Sequence, residues 1–526
     1  FDDGEAEVLK RYFTNLDLPV FALVNLPEVV KGALFARYSR SPKSLRRLFL
    51  DEFVNDLDLT GDIGVDATIG IDKAEALYEK VFVEYGDDSV AQLGGVHLAC
   101  EQASNLLTKI LEWGRLMSYL EQSTRYIAYD ERLGGRFRYY RDPDVVASKF
   151  GTRYVGDMDR MFDSYSQLAE IVTEHVRSTV PKGAKDSDFV YRQATRAKAL
   201  DAVRGMLPAS SLSNVGIYGS GQAFEQLLLR MRAHPLPESR LYADMMLTEL
   251  RKVIPSFLRR VDVAERGGKW SEYLSTNAGN MSELIDSMMG DTVASDVDEV
   301  TLVDFDPEAE NKLVAAACYA YSHLPESQIR MRVEKMSTAE KTEILNTYIG
   351  DRDNRRHRPG RAFESIDYRF DVLSDYGAFR DLQRHRLLTI EWQPLTPYHG
   401  YARPELVDAA GGTALFDEVM DRSSSLYDAL VTDYPQQAAY AVSMAYRIRY
   451  VMQFNAREAM HMLELRSSPQ GHPAYRRVAL EMHRQIAEKA GHKAVAASMS
   501  HMTTEAPELE RLESERRAEA KRNKLS

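Results

Sequence analysis

The feature that most constrains this chain is weak internal repetition, because a repeated plan fixes how many folding units the sequence must supply. Gly32-Ala-Leu-Phe-Ala-Arg-Tyr-Ser-Arg40 resembles Val314-Ala-Ala-Ala-Cys-Tyr-Ala-Tyr-Ser322. Leu227-Leu-Leu-Arg230, followed by Tyr242-Ala-Asp-Met-Met246, resembles Leu463-Glu-Leu-Arg466, followed by Val478-Ala-Leu-Glu-Met482. In this second pair the offset is a constant 236 positions. The sequence therefore predicts two degenerate copies, residues 1–285 and 286–526, with the seam in the Ser-, Asp- and Gly-rich stretch from Asn277 to Asp306. A length of 526 residues suits two cores better than one.

Helical periodicity predicts helices over Ala194–Leu207, Leu241–Val253, Arg447–Leu465 and Arg476–Ala490. Strands are expected to be few, with Phe363–Val372 the best candidate, which gives an α+β, predominantly helical fold. Gly216-x-x-Gly219-x-Gly221 follows no evident strand and reads as a loose loop. The tail from Glu505 to Ser526, dense in Glu, Arg, Lys and Ala, reads first as an exposed, frayed helix or solubilising end and second as an interaction tail.

Composition narrows the function classes. A formal net charge of -12 argues against broad binding to nucleic acid, although it permits one small phosphorylated ligand held by a few arginines. No apolar run of membrane-spanning length occurs and the acidic start shows no secretory signal, so a cytoplasmic protein is expected. The chain begins without Met, so a segment before Phe1 is left open. Cys100 and Cys318, the only two cysteines, lie in apolar contexts and read as inert. His461, His472 and His483 recur every eleven residues, too far apart for one cation, and no metal site is expected.

The sharpest string is Gln383-Arg384-His385-Arg386, two guanidiniums about an imidazole, costly to bury without an anion. Downstream, Asn455-Ala456-Arg457-Glu-Ala-Met-His461-Met-Leu-Glu-Leu-Arg466 is expected to be helical. Asn455 and Arg466 would then share a face about 16 Å apart, with Ala459 and Met462 between. In the first half, Glu121, Ser123 and Arg125 would project to one side if the chain is extended, a set suited to a sugar and phosphate. Arg204, before Met206-Leu207-Pro208, is a further anion ligand. Arg355-Arg356-His357-Arg358 reads as a solvated loop.

These strings resemble the flavin-dependent thymidylate synthases, which carry Arg-His-Arg, an Asn-Glu-x-Ser-x-Arg-Tyr segment, Arg-x-x-Leu-Pro and a helix Asn-Ala-Arg…Leu-Arg. Here the counterparts are divided. Arg384-His385-Arg386 and Asn455-Ala456-Arg457…Leu465-Arg466 lie in the second copy, and Glu121-Gln-Ser123-Thr-Arg125-Tyr126 and Arg204-Gly-Met-Leu-Pro208 in the first. Where the first copy should carry Arg-His-Arg it has Trp113-Gly114-Arg115, and where it should carry Asn-Ala-Arg it has Gly219-Ser220-Gly221. The second copy has Glu391-Trp-Gln-Pro-Leu-Thr-Pro397 in place of Ser-x-Arg-Tyr, and Ala439 where Arg204 would fall.

The resemblance implies FAD as cofactor, NADPH as electron donor, methylenetetrahydrofolate as one-carbon donor and deoxyuridylate as substrate. It implies flavin contacts from Arg384, His385, Arg386, Glu364, Asn455, Ala456, Arg457 and His461, and nucleotide contacts from Glu121, Ser123, Arg125, Arg204, Arg230 and Arg466. Arg466 and His385 fall nearest the chemistry. The family assembles its sites between subunits of a homotetramer, so two such chains would pair as a pseudo-tetramer. Three readings follow: an active synthase, a diverged flavoenzyme acting on another nucleotide, and a non-catalytic binding protein.

Overall fold

A computed structural model describes residues 1–13, 16–17, 25–38, 44–52, 54, 92–125, 127–184, 186–505 and 508–525. Tyr126 and Ser526 lie outside them. The chain divides into two compact units, each discontinuous in sequence. The first comprises Phe1–Ala103, Ile110–Gln122 and Ser213–Val293, the second Ser104–Lys109, Ser123–Leu212 and Ala294–Ser526. Among the described residues no helix is long and apolar enough to cross a membrane.

The first unit is built on a sheet of β1 (Gly95–Ser104), β2 (Met117–Glu121) and β3 (Leu212–Ser220), in the order β1-β3-β2. The expectation of a loose glycine loop at Gly216–Gly221 is corrected here. Residues alternate inward along β3, with Ser213, Val215, Ile217 and Gly219 buried, so small residues hide an ordinary two-residue period. Gly219 lies against Met117: a Cβ there would lie 2.5 Å from Met117 Cε, so the methionine tip would have to move. Ser220 then caps the helix Gly221–Ala233 by accepting the Ala223 N–H. The helices Pro237–Leu250 and Lys269–Met289 follow, the latter with no buried residue.

The second unit carries a four-stranded antiparallel sheet of β4 (Val300–Phe305), β5 (Asp367–Asp375), β6 (Thr389–Trp392) and β7 (Arg447–Asn455), in the order β4-β5-β7-β6. β7 corrects the predicted helix over Arg447–Leu465. Its burial alternates strictly, with Ile448, Tyr450, Met452 and Phe454 inward and Arg447, Arg449, Gln453 and Asn455 among the alternate positions. Only after Asn455 does the period change to that of a helix, Ala456–Arg466. No Gly or Pro marks the change, so the two elements read as one. β5 begins at Asp367, later than predicted, because residues 361–365 form a short 3₁₀ turn.

β5 and β7 pair from Asp367↔Asn455 to Asp375↔Arg447, which stacks Phe370 on Phe454 with ring centroids 5.7 Å apart. Full burial of each such side chain contributes roughly 1.5–3 kcal/mol. The helix Pro473–Glu488 covers this sheet, and the long helices Gly151–Thr179, Asp188–Val203 and Thr413–Leu430 form a second packed layer within the unit.

Twice along the chain a strand leads through a short helix to an edge strand, and a later strand enters between them before running into a helix. The chain passes β1, Asn105–Leu111, β2, β3 and Gly221–Ala233, and again β5, Tyr376–Leu382, β6, β7 and Ala456–Arg466.

Candidate functional site

The site begins at the short helix Tyr376–Leu382, all seven of whose residues are buried. Asp375 starts it by accepting the Ala378 N–H at 2.9 Å. At its far end Gln383 donates to the Lys109 carbonyl at 2.9 Å, and the chain leaves the helix carrying Asp381, Arg384 and His385 into one region. Asp381 Oδ2 lies 3.1 Å from Arg204 Nη1, and Asp381 Oδ1 lies 3.5 Å from Arg384. Burial alone would favour the neutral acid at Asp381. Four neighbouring guanidiniums, of Arg204, Arg384, Arg466 and Arg125, instead hold its carboxyl far below the usual range.

Beside this cluster His385 is held from both sides. Its Nδ1 lies 2.9 Å from Glu458 Oε1, and Arg466 Nε donates to its Nε2 at 3.0 Å. Those partners fix a neutral ring with the proton on Nδ1. Burial and the Arg466 charge outweigh the pull of Glu458 and bring the His385 pKa to about 4. Burial of Glu458 works the other way, but its hydrogen bonds with His385 and His461 prevail and hold it at about 2. His385, Glu458 and His461 form the one His/carboxylate group found close enough to ligate a cation among the described residues. Their mutual hydrogen bonds account for the arrangement and Arg466 adds a positive charge, so we assign no ion to it.

Arg125 completes the picture from the other end of the sequence. Its fork meets both oxygens of Asp201 at 2.9 and 2.7 Å, and its Nη1 donates to the Tyr475 hydroxyl at 2.8 Å. Arg466 lies over the same tyrosine ring, 5.3 Å from its centroid. Burial lowers the Arg466 pKa despite Asp381, the mark of a cation short of counter-charge. Arg511 also meets both oxygens of Asp201, at 2.9 and 3.0 Å. His472, driven down to about 3 by burial with Arg204 next in effect, donates from Nε2 to the Asp201 carbonyl. A cavity of about 420 Å³ opens beside Arg204, Asp201, Asp375, Gly377 and His472. Arg204 Nη2, in a side chain only 4% exposed, has no hydrogen-bond partner there.

The structure thus brings Arg125, Arg204, Arg384, His385, His461 and Arg466 into one unit around Asp381, Asp201 and Glu458. Arginines outnumber carboxylates, an arrangement that can take a compact dianion. Asn455 serves as a helix cap, its Oδ1 accepting from the Glu458 N–H at 2.9 Å, and the Ala456 N–H donates to the Ile366 carbonyl. Arg457 donates to the Pro359 carbonyl and approaches Glu364, 3.5 Å away, which also pairs with Arg361. Arg386 is exposed. β2 stops at Glu121 and the chain turns at Thr124–Arg125, so Glu121, Ser123 and Arg125 do not share one extended strand as expected. Ser123 Oγ accepts the Arg125 N–H across that turn. Glu121 and Arg230 belong to the other unit, where Arg230 lies over the Trp113 ring at 4.1 Å.

Sequence reasoning missed Asp381, Asp201, Glu458, Tyr475 and Arg511. Two of these carried a signal: Asp381 stands three residues before Arg384, and Glu458 three before His461, spacings that pair on a helix. It also read the tail as exposed, whereas Leu509 and Arg511 are buried and three further tail residues pair with the second unit. A charge-rich composition conceals the few tail residues whose partners lie about 300 positions away. Cys100 is buried, and desolvation pushes its thiol up to about 12.

The chain matches the family model described as thymidylate synthase complementing protein over residues 36–256 and again over 301–491. A protein of Chlamydia pneumoniae called UPF0159 protein is 39% identical over 492 residues, 92% of each chain. A namesake of Chlamydia muridarum is 37% identical over 524 residues, 99% of each chain. One of Thermoplasma acidophilum is 31% identical over 518 residues, 93% of this chain and 99% of its own. The arginine cluster, the Asn-Ala-Arg helix and this match along most of the sequence together place the chain in the thymidylate synthase complementing protein family.

Proposed function

We propose that this chain binds a uracil deoxynucleotide beside FAD and methylates it, converting deoxyuridylate to thymidylate with methylenetetrahydrofolate. The observation that carries the reading is the gathering of Arg125 and Arg204 with Arg384 and Arg466 around Asp381, although some 180 residues or more separate the two pairs in sequence. Arg125, Arg204 and Arg466 would hold the nucleotide phosphate, with Tyr475 keeping the guanidiniums of Arg125 and Arg466 in place. His385, neutral at pH 7, accepts from Arg466 and so orients its remaining donors.

The donor set also suits a flavin. Arg384, Arg457 and His461 are each about one-quarter to one-third exposed and Arg386 is exposed, and guanidinium and imidazole donors match a pyrophosphate and a heteroatom-rich ring edge. FAD, when bound, supplies the hydride that completes the methyl group, with NADPH as its source. Arg384, His385, Arg386, Glu364, Asn455, Ala456, Arg457 and His461 are the residues we assign to it, and Ser123 joins the nucleotide set.

We further propose that the chain is a tandem duplication with copies at 1–285 and 286–526, acting in the cytoplasm as a homodimer. The recurring order of strands and helices and the two family segments support the duplication. A second reading, a protein that binds ligands without turnover, draws support from Asp201 and Asp381, whose carboxylates already engage the guanidiniums that a phosphate needs. An absorption spectrum of the protein reconstituted with FAD, followed by titration with deoxyuridylate, tests both. Flavin bands that shift with nucleotide, and thymidylate formed on adding folate and NADPH, are expected. Binding of both ligands with no product selects the second reading, and no flavin retained removes the first. Arg384→Ala or His385→Ala should lower flavin occupancy, and Arg125→Ala should weaken nucleotide binding alone.

A further inference from the structure

The segment after residue 505 lies beyond the family match, which ends at residue 491, yet it is fastened to the site. Leu509 is buried, Glu510 pairs with Lys198 at 2.8 Å, Arg516 meets both oxygens of Asp186 at 2.7 and 3.1 Å, and Glu519 accepts from Ser187. Between these anchors Arg511, its side chain 4% exposed, reaches Asp201, and its Nη1 donates to the Arg125 carbonyl at 3.0 Å.

Arg125 and Asp201 alone would make a closed, neutral fork-to-fork pair with no attraction left for an anion. A second guanidinium on the same two oxygens turns that pair into a triad with net positive charge. The bond to the Arg125 carbonyl also pins the turn that presents Arg125. We infer that Arg511 is a positioning residue, supplied by the C-terminal strap, that leaves the Arg125–Asp201 pair net positive and so primes it for the phosphate of the nucleotide. This inference rests on the function proposed above.

Titration calorimetry with deoxyuridylate and with phosphate-free deoxyuridine, on the full chain and on Arg511→Ala, tests it. Arg511→Ala is expected to bind deoxyuridylate about tenfold more weakly, the effect of losing about 1.4 kcal/mol. Its flavin content and deoxyuridine binding should not change, and its dependence of affinity on salt should be shallower. Arg511→Lys should recover part of the loss. Arg516→Ala, which loosens the strap without touching Asp201, should bind like wild type, which a merely structural tail would not allow. Unchanged or tighter binding by a folded Arg511→Ala overturns the inference and leaves the proposed function standing. If wild type ignores deoxyuridylate, that function falls; inorganic phosphate, bound by wild type and about tenfold more weakly by Arg511→Ala, would then uphold the strap alone. Wild type that binds neither anion overturns both.

Discussion

Replacing Asp381 by Asn removes one negative charge and almost no volume. At 3.1 Å the Arg204–Asp381 attraction is about 5 kcal/mol at an effective dielectric near 20, before the cost of desolvating the carboxylate is returned. Breaking a buried pair by removing one partner typically costs about 3–5 kcal/mol. Asparagine keeps a carbonyl that can still accept from Arg204 Nη1, so we expect the lower end, about 3 kcal/mol. The variant should also become hungrier for anions, since the surrounding arginines lose their shared counter-charge. Urea unfolding followed by circular dichroism, in chloride and then in phosphate buffer, measures both effects. Phosphate at about one hundred times its dissociation constant should return about 2.7 kcal/mol. A loss below about 1 kcal/mol, or no recovery in phosphate, would refute the view that Asp381 neutralises a buried cationic cluster.

Acid should weaken the protein through His385. Its folded pKa of about 4 lies below the unfolded value of about 6.5, so the unfolded chain binds more protons between them and stability falls as pH drops through that window. Between pH 7.5 and 5 this one ring should cost about 2 kcal/mol, a slope that His385→Gln should remove in pH-dependent melts. Arg352→Ala, which strands the buried Glu464 carboxylate 2.6 Å from its present partner, should cost about 3–5 kcal/mol, and Arg352→Met with Glu464→Leu much less. Asn455→Ala should lose about 1 kcal/mol from the helix cap by thermal denaturation, and no change in melting would contradict the capping geometry.

The motif residues of the second half were legible because each string is local, Arg384 to Arg386 following one short helix and Asn455 to Arg466 forming another. β7 was not, because inward Ile448, Tyr450, Met452 and Phe454 merge with Val451 and the following helix into one apolar stretch without punctuation. Asp201 and Tyr475 were invisible for a different reason. Each stands on an otherwise ordinary helix, and its meaning comes only from Arg125, which lies 76 positions before Asp201 and 350 before Tyr475. The complementary losses noted in the sequence, Arg-His-Arg in one half and Ser-x-Arg in the other, become intelligible once Arg125 and Arg384 are seen near the same Asp381.

The second unit's dispersal along the chain sets a timetable for synthesis. Arg125 and Asp201 leave the ribosome 76 positions apart, but Arg511 follows Arg125 by 386 positions. Contacts of such separation close slowly, and this one cannot begin to close before Arg511 itself has been made. A newborn chain therefore carries the Arg125–Asp201 pair without its third member through a further 310 residues of synthesis.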